Sequence, residues 1–458
     1  MHSIWAIAIN TVKQALRMKI AVVFTVLLLV VLPLMGAVTT GDGTLKGRLQ
    51  TFVSYGLSLA SFVLCLLTIV ISIYSVTNDI KQSQIYTVLT KPVRRFQFLL
   101  GKLLGVILLD ISLLVLFSAL IYTITISIPR FVQVEQKESV KARNEFFTAR
   151  AALIPKEVDV TKEVLEIYKK REKNQEVPQE VLQNKAKRQT YLNMLAENVK
   201  RWKRAAVPGR ELVWTFDNVK PFDPNESMFI RYKYDVSVNP PDLQVTGNWF
   251  IGDNRSLGTI SETPFETRET KDLIRTFHEM EVPAKTVAKD GFLAVAFFNN
   301  PALNNTIVIF HPQEGLEVLY KADTFTANYV RAVFLILLRL VFLACLGILA
   351  SSFLSFPVAI LFCLVIFFAG MISGFITDSF NYISEGIGAV YSFTVKPLMQ
   401  LLPQFDKHNP TKYLIDGRLL SSAVLAKTAV IMVCIKAFLL LILSIIIFTY
   451  REIAKVVV

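Results

Sequence analysis

Residues 79–105 read DIKQSQIYTVLTKPVRRFQFLLGKLLG, a basic stretch between two long apolar runs. Upstream, Phe52 to Val76 carries no charge; downstream, Phe98 to Ile128 carries only Lys102 and Asp110. A helix needs roughly 20 mostly apolar residues to cross a bilayer. The stretch therefore reads as a turn between two spans, with Lys81, Lys91, Arg94, Arg95 and Lys102 held at the membrane surface. Turns rich in Lys and Arg face the cytoplasm, so this one orients the rest of the chain.

The remaining apolar runs follow from that assignment. Ile20 to Val38 is a first span, and Gly36, Gly41, Gly43 and Gly47 mark the short external loop that returns the chain to Phe52. Tyr329 to Ala350 crosses back inward, Ser351 to Ser355 makes a tight turn, Phe356 to Phe375 crosses outward, and Thr428 to Thr449 is a sixth span ending at Tyr450-Arg451-Glu452. Ahead of them, Ile4 to Lys19 places Trp5, Ile9, Val12 and Leu16 on one helical face and Asn10, Lys13, Gln14 and Arg17 on the other. Such a basic amphipathic helix lies in the membrane interface.

Composition agrees. The chain has 458 residues, 53% of them hydrophobic, with 33 Phe and a mean hydropathy of +0.47. That is too apolar for an ordinary soluble protein and long enough for a membrane part plus a separate domain. The net charge is +13, yet Arg130 to Val330 holds 29 basic and 28 acidic residues. The excess thus lies around the spans, as the positive-inside rule expects, and not on a soluble nucleic-acid-binding face. Cys65, Cys345, Cys363 and Cys434 all fall in apolar runs, which leaves the polar segment without a disulfide framework or a cysteine-based metal site.

From Pro129 to about Asp323 the chain turns polar. Residues 129–208 are rich in Lys, Glu, Gln and Ala, with Val164, Ile167, Leu182, Leu192, Leu195, Val199 and Trp202 at helical spacing, and predict two or three long helices forming a hairpin. Residues 209–325 predict short strands at Leu212–Phe216, Met228–Tyr234, Gly247–Gly252, Phe292–Phe298 and Thr306–Phe310, the pattern of a β-sandwich, of jelly-roll type among the options. Trp214, Trp249, Asp253, Arg255 and His278 admit two readings, an external ligand surface suited to sugars or packing of the tryptophans in a sandwich core.

Asp110, Arg331, Arg339 and Lys436 are further ionisable residues within spans or near their ends. Asp110, Arg339 and Lys436 sit in apolar surroundings and need partners or a wet cavity, whereas Arg331 can reach the interface. A structural hydrogen bond between helices is the simpler account of Asp110, with a transport role as the alternative. Residues 376–427 are neither a clean span nor clearly soluble; they contain Gly386, Gly388 and the stretch Leu401 to Pro410, in which His408 has no strong second ligand nearby. No phosphate loop, dinucleotide glycine fingerprint or HExxH zinc signature occurs.

The wording of residues 79–105 resembles the first cytoplasmic loop of type-2 ABC exporter permeases, close to E-I-E-S-G-T-L-E-L-L-L-S-K-P-V-S-R followed by F-L-L-G-K-x-x-G. Asp79 and Ile80 stand for its opening pair, Lys91-Pro92-Val93 and Arg95 for its closing motif, and Phe98-Leu99-Leu100-Gly101-Lys102 with Gly105 for the start of the next span. Lys81, Ser83 and Arg94 depart from the usual acid, glycine and serine. The resemblance covers roughly 1–128 and 326–458 and implies an ATPase-coupling loop made of Asp79, Ile80, Lys91, Pro92, Arg94 and Arg95. It also implies a separate cytoplasmic ABC ATPase that binds ATP and magnesium, a second permease copy or paralogue completing a dimer, an N-terminal elbow helix, and short re-entrant elements between spans five and six.

The expected architecture is an α-helical polytopic membrane protein with six transmembrane helices, both termini cytoplasmic in a bacterial inner membrane, and an inserted extracytoplasmic α+β domain. Its parts are 1–128 (elbow helix and spans one to three), 129–325 (inserted domain) and 326–458 (spans four to six). The expected role is the permease subunit of an exporter. A non-transporting membrane anchor whose external domain binds an envelope partner or polysaccharide is the alternative, and an ion-coupled carrier using Asp110, Arg339 and Lys436 is a third.

Overall fold

A computed structural model describes residues 2–82, 94–132, 135–156, 159–223, 226–256, 264–311, 315–380, 394, 397, 402–406 and 409–450. Lys91, Pro92, Gly386, Gly388, His408, Arg451 and Glu452 lie outside the described residues. The chain divides into two compact units, Met1–Ala149 with Thr324–Val458, and Arg150–Asp323.

The first unit is helical. Helix α1 (His2–Leu16) is followed by α2 (Lys19–Val38), α3 (Leu45–Lys81), α4 (Arg95–Phe131) and α5 (Gln136–Glu145). Among the described residues six helices are long and apolar enough to cross a membrane: α2, α3, α4, Phe325–Phe353, Phe356–Ile376 and Ser422–Tyr450. The polar ends of several are set by side-chain caps. Thr44 accepts from the Gly47 amide ahead of α3, Thr324 from that of Ala327, and Ser421 from that of Val424. Such a cap stabilises a helix start by about 1 kcal/mol.

Burial separates inner from outer helices. The apolar windows of α3 and Phe325–Phe353 are 72% buried, against 22% for α2 and 17% for Ser422–Tyr450. The outer helices expose rows of aliphatic and aromatic side chains such as Val23, Val26 and Val30 of α2 or Leu361, Val365 and Phe375 of Phe356–Phe380. Faces of this kind are at home in hydrocarbon. Cys65, Cys345 and Cys363 are buried and Cys434 is exposed, all with free thiols.

The second unit holds helices α6 (Thr161–Lys173), α7 (Gln179–Gln183) and α8 (Lys185–Lys203), whose own small core comprises Val160, Val164, Tyr168, Val177, Val181 and Leu195. The strands are β1 (Thr148–Leu153), β2 (Ala205–Ala206), β3 (Glu211–Phe216), β4 (Ser227–Tyr232), β5 (Tyr234–Val236), β6 (Gln244–Gly252), β7 (Glu266–Leu273), β8 (His278–Pro283), β9 (Leu293–Phe298), β10 (Val308–Phe310) and β11 (Leu316–Thr324). They form three sheets in the orders β1-β11-β4-β8, β2-β10-β5 and β3-β9-β6-β7. One apolar core shared by the three gathers Tyr232, Tyr234, Trp249, Phe297 and Phe310, with Trp249 and Phe297 stacked edge to face at 4.9 Å between centroids.

Four details depart from the expectations. The segment expected to be purely helical contains the strand β1, whose sequence TARAAL carries little β-propensity by itself. Strand β7, ETRETKDL, was not foreseen because both its faces are polar; it sits at the edge of its sheet, where charge is tolerated and guards against further pairing. Ser351 and Ser352 belong to the helix Phe325–Phe353 and donate to the carbonyls of Ile348 and Leu349, so the turn lies beyond them. Finally, Lys102, expected among the exposed basic residues of the turn, is buried within the protein.

Candidate functional site

The flanks of residues 83–93 carry a polar network that joins three helices of the helical unit. Asp79 and Ile80 belong to the last turn of α3, not to a loop, and Asp79 is buried. Seven residues into α4 stands Lys102, whose side chain is 1% exposed. Its Nζ lies 2.6 Å from Asp79 Oδ2 and donates to Gln14 Oε1 of α1 at 3.2 Å, while Gln14 Nε2 donates to Asp79 Oδ1 at 3.4 Å. Three helices thus share one buried network.

Small residues let α1 come close enough to take part. A Cβ on Gly101 would meet Ile7 Cβ at 2.7 Å, and one on Gly105 would meet Thr11 Cβ at 2.6 Å and the Ala8 carbonyl at 2.7 Å. The face of α1 against α4 therefore contains Ala8, Thr11 and Ala15, all buried, whereas Trp5, Ile9 and Leu16 are exposed. The amphipathic pattern had picked out the exposed apolar face. The packing face was inconspicuous because its residues are small.

The start of α4 is tied elsewhere too. The Arg94 backbone N–H donates to Gln97 Oε1 at 3.1 Å, and Arg95 Nη1 donates to the Thr449 carbonyl at 2.5 Å, in the last turn of the helix ending at Tyr450. Phe98 stacks on Phe448 at 5.8 Å in the same place. Beside the end of α3, a cleft of about 560 Å3 is lined by Met18, Tyr74, Asn78, Lys81, Leu354 and Phe356.

The intramembrane ionisable residues are each engaged. Asp110 is buried and meets Thr68 Oγ1 at 2.8 Å, bridging α3 and α4. Arg339 and Lys436 converge on one short segment: Arg339 Nη2 donates to the Phe405 carbonyl at 3.0 Å with its guanidinium 4.9 Å from the Phe405 ring, and Lys436 Nζ donates to the Leu402 carbonyl at 2.8 Å. Asp406, next along, accepts from the Gly374 amide at 2.5 Å. Phe405 is buried against Phe342 and Phe367. Lys436 itself lies in a π-helical stretch, Val430–Ala437, a wider winding that is rare and often found at functional sites.

The residues weighed as an external ligand surface are not gathered together. Trp249 is fully buried and Trp214 nearly so; neither presents a face for a ligand, and both are core residues. His278 is partly exposed and engaged locally: Nε2 is 2.8 Å from the Leu273 carbonyl and 2.7 Å from Thr276 Oγ1, with Nδ1 3.6 Å from Asp272. The Tyr232 hydroxyl donates to Asp272 at 2.6 Å, and burial together with that bond pushes its phenol above its ordinary value. Arg255 is clamped by both carboxylates at hand, 2.9 Å from Asp253 and 2.7 Å from Asp290, and covers the ring of Phe292.

Nothing in these arrangements provides a nucleophile beside a base. Among the described residues no group of three or more His, Cys, Asp or Glu is placed to hold a metal ion. Through Asp79, Lys102, Gln14 and Arg95, side-chain contacts link α1, α3, α4 and the helix Phe438–Tyr450. Compared with known proteins, the chain matches no family model, no curated protein and no solved structure.

Proposed function

We propose that the chain is the membrane-spanning subunit of an ABC exporter, driven by a separate cytoplasmic ATPase and working as a dimer with a second copy or a paralogue. Residues 79–95 are the docking element, and the inserted unit lies outside the cytoplasm, where it receives or hands over cargo. The observation that carries this reading is the buried Asp79–Lys102–Gln14 network, because a docking loop is useful only if its ends are rigidly joined to the helices it must move. The wording of residues 79–105 supports the same assignment.

The test is co-purification from native membranes with cysteine labelling at Lys91 and Arg95. An associated ABC ATPase, and labelling from the cytoplasmic side alone, are expected. Solubilised protein that never carries such an ATPase, or labelling from outside, would overturn the proposal.

A scaffold role is favoured by one observation, the self-contained nature of the Arg150–Asp323 unit, which has its own aromatic core. Deleting that unit separates the two readings: a transporter keeps its ATPase partner, whereas an anchor loses every partner. An ion-coupled carrier draws less support, since Arg339 and Lys436 hold backbone carbonyls.

A further inference from the structure

The Arg150–Asp323 unit contains a cleft of about 530 Å3, within the size range of small-molecule sites. It lies where the last turn of α8 faces β5 and β10. Arg201 of α8, Lys233 between β4 and β5, and Arg275 between β7 and β8 all line it, over a floor that includes Tyr234 and Ile309. One acid sits among them. Asp235 accepts from Arg275 Nε at 2.9 Å and lies 3.9 Å from Arg201 Nη2, so a single carboxylate spans two guanidinium groups. The other acid on the lining, Glu197, has Lys200 3.6 Å away.

Arg275 is set in place by an uncommon backbone. Its φ is 63°, a left-handed conformation that a residue with a Cβ adopts at some cost, and its N–H donates to the Tyr234 carbonyl at 2.9 Å. Its guanidinium has five N–H donors, of which Asp235 and Asn239 take two. Cations gathered in a concavity reinforce one another's potential, and an arginine fork already oriented by a carboxylate meets a second oxyanion with little further ordering.

We propose that this cleft binds a small organic anion, recognised through a carboxylate or phosphate group held by Arg275, Lys233 and Arg201. The site is independent of the exporter reading, and its test involves no ATPase.

The experiment is calorimetric titration of the purified full-length chain in detergent with three probes, glucuronate, inorganic phosphate and neutral glucose. Binding of either anion, weakened by added salt, with no binding of glucose, is expected. Glucuronate alone assigns the carboxylate class and phosphate alone the phosphate class. Arg275→Asn keeps the left-handed backbone accessible while removing the fork, and Lys233→Met leaves the Asp235 contacts in place; each is expected to weaken anion binding roughly tenfold, the effect of losing one charge-assisted hydrogen bond. Absence of binding by both anions to the wild-type chain, or unchanged affinity in both variants, overturns the proposal.

Discussion

Lys102 and Asp79 form an ion pair of 2.6 Å with both side chains at least nine-tenths buried, joining α3 to α4 on either side of residues 83–93. The pair is 23 positions apart in sequence and has Gln14 as its third member, so it cannot rearrange without moving α1. Removing one partner of a buried pair leaves an uncompensated charge, at a cost of about 3–5 kcal/mol, while replacing both with apolar residues costs far less. Lys102→Met is therefore expected to lower the thermal unfolding temperature in detergent sharply, and Lys102→Met with Asp79→Leu to recover much of the loss. Strictly additive effects of the two changes would show that the pair is not coupled.

The contact of α1 with α4 predicts a steric effect. Gly105→Val places a side chain where Thr11 and the Ala8 carbonyl already stand, and overpacking of this kind costs about 1–3 kcal/mol. Leu104→Val, one position away on a partly exposed face, is expected to change little. The check is the unfolding temperature of the two variants side by side; equal effects would remove the close approach as the reason for glycine.

Arg339 and Lys436 make a second, independent prediction. Both donate to carbonyls of the 402–406 segment, so Arg339→Met and Lys436→Met each strand an acceptor and loosen its hold on the neighbouring helices. A cysteine introduced at Gln404 is expected to react faster with a membrane-impermeant maleimide in these backgrounds than in the parent. Unchanged rates in both would mean that the segment is held by the packing of Phe405 alone.

Acid should open the Arg255 clamp. Hydrogen bonds from Arg255 hold the carboxyls of Asp253 and Asp290 below the usual carboxylate range. A depressed folded-state value contributes stability that is present above the unfolded value and lost as pH falls through the folded one. The wild-type chain is accordingly expected to lose more stability between neutral and strongly acidic pH than Arg255→Gln, which has no such bonds to lose. Parallel pH profiles of unfolding temperature for the two would contradict this.

Much of the membrane part was legible in the order of residues. Hydrocarbon demands about 20 apolar residues per helix, so the six runs declare themselves, although α3 and α4 extend several residues past the expected limits at both ends. Hydropathy cannot see those extra turns, because they lie where polar residues such as Asp79 and Gln97 are acceptable. In the inserted unit the strands with alternating burial, β3 and β6 above all, were visible for the same kind of reason, a period of two imposed by one buried face. Strand β1 was not, since Ala-rich sequence is compatible with helix and its choice is made by the partner β11.

By itself the sequence determined how many long apolar helices there are among the described residues and that Arg339 and Lys436 would need partners, because each of these follows from the cost of placing given atoms out of water. Only the tertiary structure decided who those partners are. Lys102 reads as one more surface cation until Asp79 and Gln14 are brought beside it, and Trp249 reads equally as a binding face or a core residue until three sheets close over it. Burial depends on which distant segments meet, and no local stretch of sequence specifies that.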